Sequence, residues 1–83
     1  MSVSGTLLVN CGWFTARKVL AETKNMPGVT LVYRTDKRPN GPNVIVNMSR
    51  VSEERIREVK EYIWKIDGVN SVTVHSGRSL LRY

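Results

Sequence analysis

The residue types that could do chemistry in this chain are one cysteine, one histidine and thirteen basic side chains among 83 residues. Cys11 begins the segment Cys11-Gly12-Trp13-Phe14, where a thiolate could serve as a nucleophile or as a soft-metal ligand. His75 is the only imidazole that could act as its base, and no acidic residue is obviously placed to orient that histidine. We therefore predict no catalytic residue and no metal site, and Cys11 and Trp13 are the candidate residues of this loop.

Other catalytic motifs are not indicated either. Gly28 and Gly41 are isolated, and neither precedes a Lys-Ser or Lys-Thr pair of a phosphate-binding loop. The acidic residues alternate with Arg and Lys on what we interpret as a solvated helix face, which does not favour paired catalytic carboxylates. We predict that the chain is not an enzyme and uses no cofactor. Trp13 and Phe14 are expected to pack at the start of a helix and not to form a ligand platform.

The basic side chains are distributed unevenly, which suits an anionic partner. Residues 1–48 hold six basic and two acidic side chains, residues 49–68 hold five of each, and residues 69–83 add two arginines. A basic turn that projects from a sheet can contact phosphates without strict side-chain geometry. A solvated surface with scattered ion pairs explains the same charge. The candidate nucleic-acid contacts are Arg34, Lys37, Arg38, Arg17 and Lys18.

Hydrophobic periodicity predicts the elements that would position these residues. Apolar residues recur at helical spacing over residues 15–26, with Thr15 as the expected N-cap. A second helix is expected to begin after the N-cap Ser52 and to end at Gly68. Short apolar runs bounded by turn residues predict strands at residues 6–10, 29–34, 43–48 and 69–75.

The order of these elements predicts the fold. Both helices end at a Gly-Val step, Gly28-Val29 and Gly68-Val69, which is typical of a tight reversal into a strand. Right-handed crossovers in a β-α-β-β-α-β order place both helices on one face of a four-stranded antiparallel sheet. This α+β plan is the ferredoxin-like sandwich. We predict one domain over residues 1–83, with a core at 6–75 and a tail, 76–83, that forms an extra edge strand or docks on a neighbour.

The sheet face away from the helices is predicted to have mixed polarity. Strand alternation places Ile45, Asn47, Thr73 and His75 on this face, opposite the valines that pack under the helices. A chain of 83 residues leaves much of its apolar surface near water unless a partner covers it. We therefore predict a homo-oligomer, most simply a dimer, that self-associates or binds a ligand through this face.

Composition also bears on the cellular setting. The apolar runs are far shorter than the ~20 residues that span a bilayer, and residues 1–5 lack the features of a signal peptide. One cysteine allows no internal disulfide. We expect a cytoplasmic protein with no membrane partner. Twelve valines, many charges and no glutamine are typical of proteins from thermophiles.

With this topology, Met26-Pro27-Gly28-Val29 and Ile66-Asp67-Gly68-Val69 resemble the helix stops of the small regulatory domains called ACT and RAM. The RAM domain is the effector and oligomerisation half of Lrp/AsnC-type transcription regulators, and it also occurs as a stand-alone chain. Where the family usually has a short Gly-x-Tyr-Asp-like hairpin, this chain has a longer basic segment, 36–42. The resemblance implies self-association, a small ligand and a link to transcription regulation.

Three functions are therefore compatible with the sequence. The leading hypothesis is a non-catalytic, self-associating binding or regulatory module. The first alternative is a basic nucleic-acid-binding protein that contacts phosphates through the hairpin at 34–38. The second is a metal or peptide chaperone, since NapD-type chaperones are similar at the same level and heavy-metal-associated domains share the fold. The latter carry a C-x-x-C pair where this chain has Cys11 and Phe14. Beyond a second copy, the candidate partners are a nucleic acid, a small ligand or a protein.

Overall fold

A computed structural model describes residues 2–35 and 43–76 of the chain. The strands of the described part form one antiparallel sheet in the order β2-β3-β1-β4. The predicted β-α-β-β-α-β order and ferredoxin-like α+β fold are therefore confirmed. Lys37, Arg38 and the predicted extra strand beyond Ser76 lie outside the described residues. The elements are β1 (Val3–Cys11), α1 (Trp13–Thr23), β2 (Val29–Arg34), β3 (Val44–Val51), α2 (Glu53–Trp64) and β4 (Val69–Ser76).

The core lies between the two helices and one face of the sheet. The strand residues Leu7, Val9 and Val46 are fully buried. They belong to the same apolar cluster as Val19 of α1 and Val59 of α2. Because side chains alternate along a strand, burial of every second residue under both helices fixes this face as the inside of the fold. Each such side chain, when fully buried, stabilises the fold by about 1.5–3 kcal/mol.

Two nearly identical turns connect each helix to the strand that follows it. Gly28 has a φ of 92° and Gly68 a φ of 98°, values that residues with a Cβ rarely adopt. After each glycine, the valine N–H donates to the carbonyl three residues earlier, Val29 to Met26 at 3.1 Å and Val69 to Ile66 at 3.2 Å. The repeated Gly-Val step of the sequence is therefore one local structure used twice.

The two helices begin differently, and one N-cap prediction is wrong. Ser52 caps α2 as predicted, because its Oγ accepts a hydrogen bond from the Arg55 N–H at 3.0 Å. α1 begins at Trp13 with Gly12 as its N-cap, not at Thr15. The extended backbone of Gly12 lets its carbonyl accept from the Ala16 N–H at 3.0 Å. Thr15 Oγ1 instead donates to the Asp67 carbonyl at 3.3 Å.

The turn at Gly68 provides a test of this packing. An added Cβ would lie 2.0 Å from Thr15 Oγ1, and the positive φ strains any L side chain. We expect Gly68→Ala to lower the free energy of unfolding, measured by urea denaturation, by at least about 1 kcal/mol. Gly12→Ala is the control, since a Cβ there meets no atom within 4 Å, and its loss should stay below about 1 kcal/mol. Equal losses in the two variants would contradict the described turn.

Candidate functional site

The sheet face away from the helices, called the open face, carries side chains in two rows across the strands. The predicted residues Ile45, Asn47, Thr73 and His75 lie together on this face. The structure adds members from β1 and β2 that the sequence did not identify. The register places Tyr33, Ile45, Leu8 and Thr73 in one row and Leu31, Asn47, Thr6 and His75 in the next.

A shift in strand register brings Leu31 and Tyr33 to the open face. The pairing of β2 with β3 shifts between Val29 and Leu31. As a result Val29 packs against the core together with Val32, whereas Leu31 and Tyr33 are 54% and 45% exposed. Simple alternation would group Val29, Leu31 and Tyr33 on one face. The side-chain alternation within β2 does not reveal this shift, because it arises from the pairing with β3.

The open face is more apolar at β2 than at β4, and it carries no Lys, Arg, Asp or Glu in its two rows. Ile45, predicted to be displayed on this face, is only 9% exposed, because Tyr33 and Leu8 flank it in its row. The amide oxygen Oδ1 of Asn47 accepts a hydrogen bond from Thr6 Oγ1 at 3.0 Å. The accessible apolar area therefore comes mainly from β2, while Thr73 and His75 are exposed polar residues on β4.

A second surface, at the start of α1, combines aromatic and basic side chains. The prediction that Trp13 and Phe14 pack against the protein is wrong, since they are 61% and 84% exposed. The start of α1 at Trp13 directs both rings outward. The guanidinium of Arg34, at the end of β2, lies 4.3 Å from the centroid of the Trp13 ring. Arg17 and Lys18 are exposed one turn further along α1.

Cys11 lies in the core and is separated from His75. The cysteine is 4% exposed and belongs to the apolar cluster under the helices, whereas His75 is on the open face opposite Thr6. Burial raises the pKa of the Cys11 thiol, and the nearby Arg34 guanidinium partly offsets this effect. Within the described ranges, no group of three or more His, Cys, Asp or Glu side chains could hold a metal ion.

A groove between α2 and β4 was not anticipated from the sequence. Its volume is about 370 Å³, and Trp64, Lys60 and Val72 are among its lining residues. Trp64 is 55% exposed and lies off the helical stripe of Ile56, Val59 and Ile63 that packs into the core. That offset is the signal by which the sequence could have placed the indole outside the core. The groove combines apolar walls with two lysines and Glu61.

The reactivity of Cys11 tests its placement. The thiolate is the form that reacts with iodoacetamide, and a raised pKa lowers the thiolate fraction at any given pH. We expect alkylation, followed by mass spectrometry, to be slower in the folded protein than in the urea-unfolded chain at equal pH. The folded protein should also need a higher pH to reach its half-maximal rate. Because the chain has one cysteine, each event reports Cys11. Equal rates in both states would show that Cys11 is accessible.

Comparison with known proteins gives relatives in structure only. No family model and no curated protein sequence matches the chain. The fold is similar to that of TTHA0845 from Thermus thermophilus, with a TM-score of 0.75 and 13% identity over 89% of this chain and 90% of that one. It is also similar to Escherichia coli AsnC, with a TM-score of 0.70 and 17% identity over 89% of this chain and 49% of AsnC.

A transcriptional regulator from Neisseria meningitidis, NMB0573 in complex with L-Met, has the same fold. The TM-score is 0.65 and the identity 12%, over 89% of this chain and 48% of the regulator. The chain thus spans about half the length of AsnC and of NMB0573. Structural neighbours include Lrp/AsnC-family regulators and their effector-type domains, so the resemblance found in the sequence is confirmed at the level of the fold. Neither helix in the described part of the chain is long and apolar enough to cross a membrane.

Proposed function

We propose that the chain is a non-catalytic regulatory module, linked to transcription regulation, that self-associates through its open face. The observation that carries the proposal is an uncharged, partly apolar sheet face on a small protein whose formal net charge is +6. An uncharged apolar patch on such a protein is where a partner surface fits best. The fold shared with Lrp/AsnC-family regulators supports the regulatory part of the proposal.

The apolar half of the open face supplies the driving force for association. Leu31 and Tyr33 keep about half of their side-chain surface exposed, and they stand beside the well-covered Ile45. Two sheets can pack face to face at a spacing of about 10 Å when their side chains interdigitate. Burial of Leu31 and Tyr33 in both copies would remove four exposed apolar side chains from water. Full burial of such a side chain contributes about 1.5–3 kcal/mol relative to full exposure. Because Leu31 and Tyr33 are already about half covered, association would gain about half of this value for each of them.

The polar half of the open face favours a defined register of the two copies. Thr73 and His75 continue the rows that begin at Tyr33 and Leu31. In an arrangement related by a two-fold axis, each copy presents the same patch to the other, so hydroxyl and imidazole groups can pair while the apolar half is covered. No full charge lies in the two rows to be buried unpaired, which removes the largest cost of such packing.

A charge placed at Leu31 tests the interface. We expect Leu31→Glu to raise the dimer dissociation constant at least about tenfold, because each copy would bury an unpaired carboxylate where it now buries an apolar group. Trp64→Glu is the matched control, since Trp64 is 55% exposed against 54% for Leu31 and lies on α2, away from the open face. Sedimentation equilibrium measures both constants, and circular dichroism confirms that both variants fold.

Two results would contradict the proposal. A wild-type chain that stays monomeric at high concentration would remove self-association altogether. Equal weakening by Leu31→Glu and Trp64→Glu would place the interface elsewhere. The predictions of a small ligand, of a protein partner and of a cytoplasmic location are separate from this test and stay predictions.

A further inference from the structure

The surface at the start of α1 has a composition that structural packing does not explain. Trp13 and Phe14 are both more than half exposed, although large aromatic side chains usually lie inside a fold. Arg34 stacks on the Trp13 ring, and Arg17 and Lys18 lie one helical turn beyond the two aromatic residues. These five side chains are called the aromatic-basic surface. They lie on the helix layer, on the side of the sheet opposite the open face.

Aromatic and basic residues alternate around α1. At about 100° per residue, the order around the helix is Trp13, Arg17, Phe14 and Lys18, in steps of roughly 40–60°. A helix that lies on a membrane segregates its apolar and basic residues onto different faces. The alternation found here has no such apolar stripe. It matches a ligand that presents flat rings and negative charges in turn.

The electrostatics of α1 favour an anion at this surface. The first turn of the helix has no acidic residue, and no side chain caps its N-terminus. Glu22, the one acidic residue of α1, accepts a hydrogen bond from the Tyr62 hydroxyl of α2 and so lies on the flank that faces the other helix. Glu22 is the i, i+4 neighbour of Lys18, about 40° from it around the helix. The positive end of the helix dipole and the guanidinium of Arg17 lie further from this carboxylate, and together they favour an anion beside the first turn of α1.

We propose that the aromatic-basic surface binds single-stranded nucleic acid. Unpaired bases stack on the exposed rings of Trp13 and Phe14. Arg17 and Lys18 contact the phosphates that link the stacked nucleotides. Arg34 holds the indole of Trp13 in place from the sheet side. A duplex buries its base faces in its own stack and can use only the cations, so the rings select a single strand. The proposal does not depend on self-association, because the open face lies on the other side of the sheet.

Fluorescence anisotropy with labelled oligonucleotides tests the proposal. Oligo-dT, oligo-U and a duplex of equal length are titrated with the protein over a series of salt concentrations. We expect the single strands to bind more tightly than the duplex. If oligo-dT binds more tightly than oligo-U, the preferred ligand is single-stranded DNA, and the reverse order identifies RNA. Either result supports the proposed binding surface. Absence of binding to either strand, or equal binding of the duplex, overturns the proposal.

Matched variants locate the contacts. Phe14→Ala and Trp13→Ala should each weaken binding at least about fivefold, the low end of the range for loss of one base–aromatic stack. Trp64→Ala removes an aromatic residue of similar exposure from α2 and should leave the affinity unchanged. Because Phe14 is 84% exposed, its removal should not disturb the fold, which circular dichroism checks. An equal loss in Trp64→Ala would overturn the assignment.

The salt dependence separates phosphate contacts from stacking. Combined Arg17→Ala and Lys18→Ala should reduce the slope of log affinity against log salt by about 1.4, since each single-strand phosphate contact contributes about 0.7. The exposed pair Arg57 and Lys60 on α2 provides the control double substitution, for which no change of slope is expected. Tighter binding to poly-glutamate or to anionic lipid vesicles than to the oligonucleotides would assign the surface to a different partner and overturn the proposal.

Discussion

Two helices cover one face of a four-stranded sheet, and their placement leaves the other face without any cover from the described part of its own chain. The strand β1 lies between β3 and β4, and its side chains alternate between the core and the open face. Leu7 and Val9 are fully buried under the helices, while Leu8 between them belongs to the open face. The stability of the fold therefore comes from one side of the sheet, and the opposite side is available for interaction.

Local irregularities of the backbone decide which side chains the open face shows. The positive φ of Gly28 returns the chain from α1 into β2, and the register shift that follows it separates Val29 from Leu31. Because of this shift, Val29 packs against the core with Val32, whereas Leu31 and Tyr33 lie on the open face. Gly68 precedes a similar shift, between Asn10 and Cys11 in the pairing of β1 with β4. The repeated helix-to-strand turn thus shapes the surface as well as the topology.

The sequence predicts features of this protein that depend on local chemistry. The order of elements, the bounds of β2 and the N-cap Ser52 follow from periodicity, turn residues and capping preferences, and the structure confirms them. Features that depend on neighbouring strands or on backbone conformation were missed. Ile45 is covered by Tyr33 and Leu8 across the sheet, which a pattern along one strand does not reveal. The extended backbone of Gly12 starts α1 at Trp13, and this early start exposes the two aromatic rings.

The two proposed surfaces lie on opposite sides of the molecule, so a dimer formed through the open face leaves the helix layer free. The central claim is that the open face is buried against a second copy, and intermolecular NOEs in a mixed sample of isotope-labelled and unlabelled protein test it most directly. We expect such NOEs from the methyl groups of Leu8 and Leu31, and none from Ile56 and Ile63 in the core. Intermolecular NOEs that arise from the helix layer and not from the open face would contradict the account.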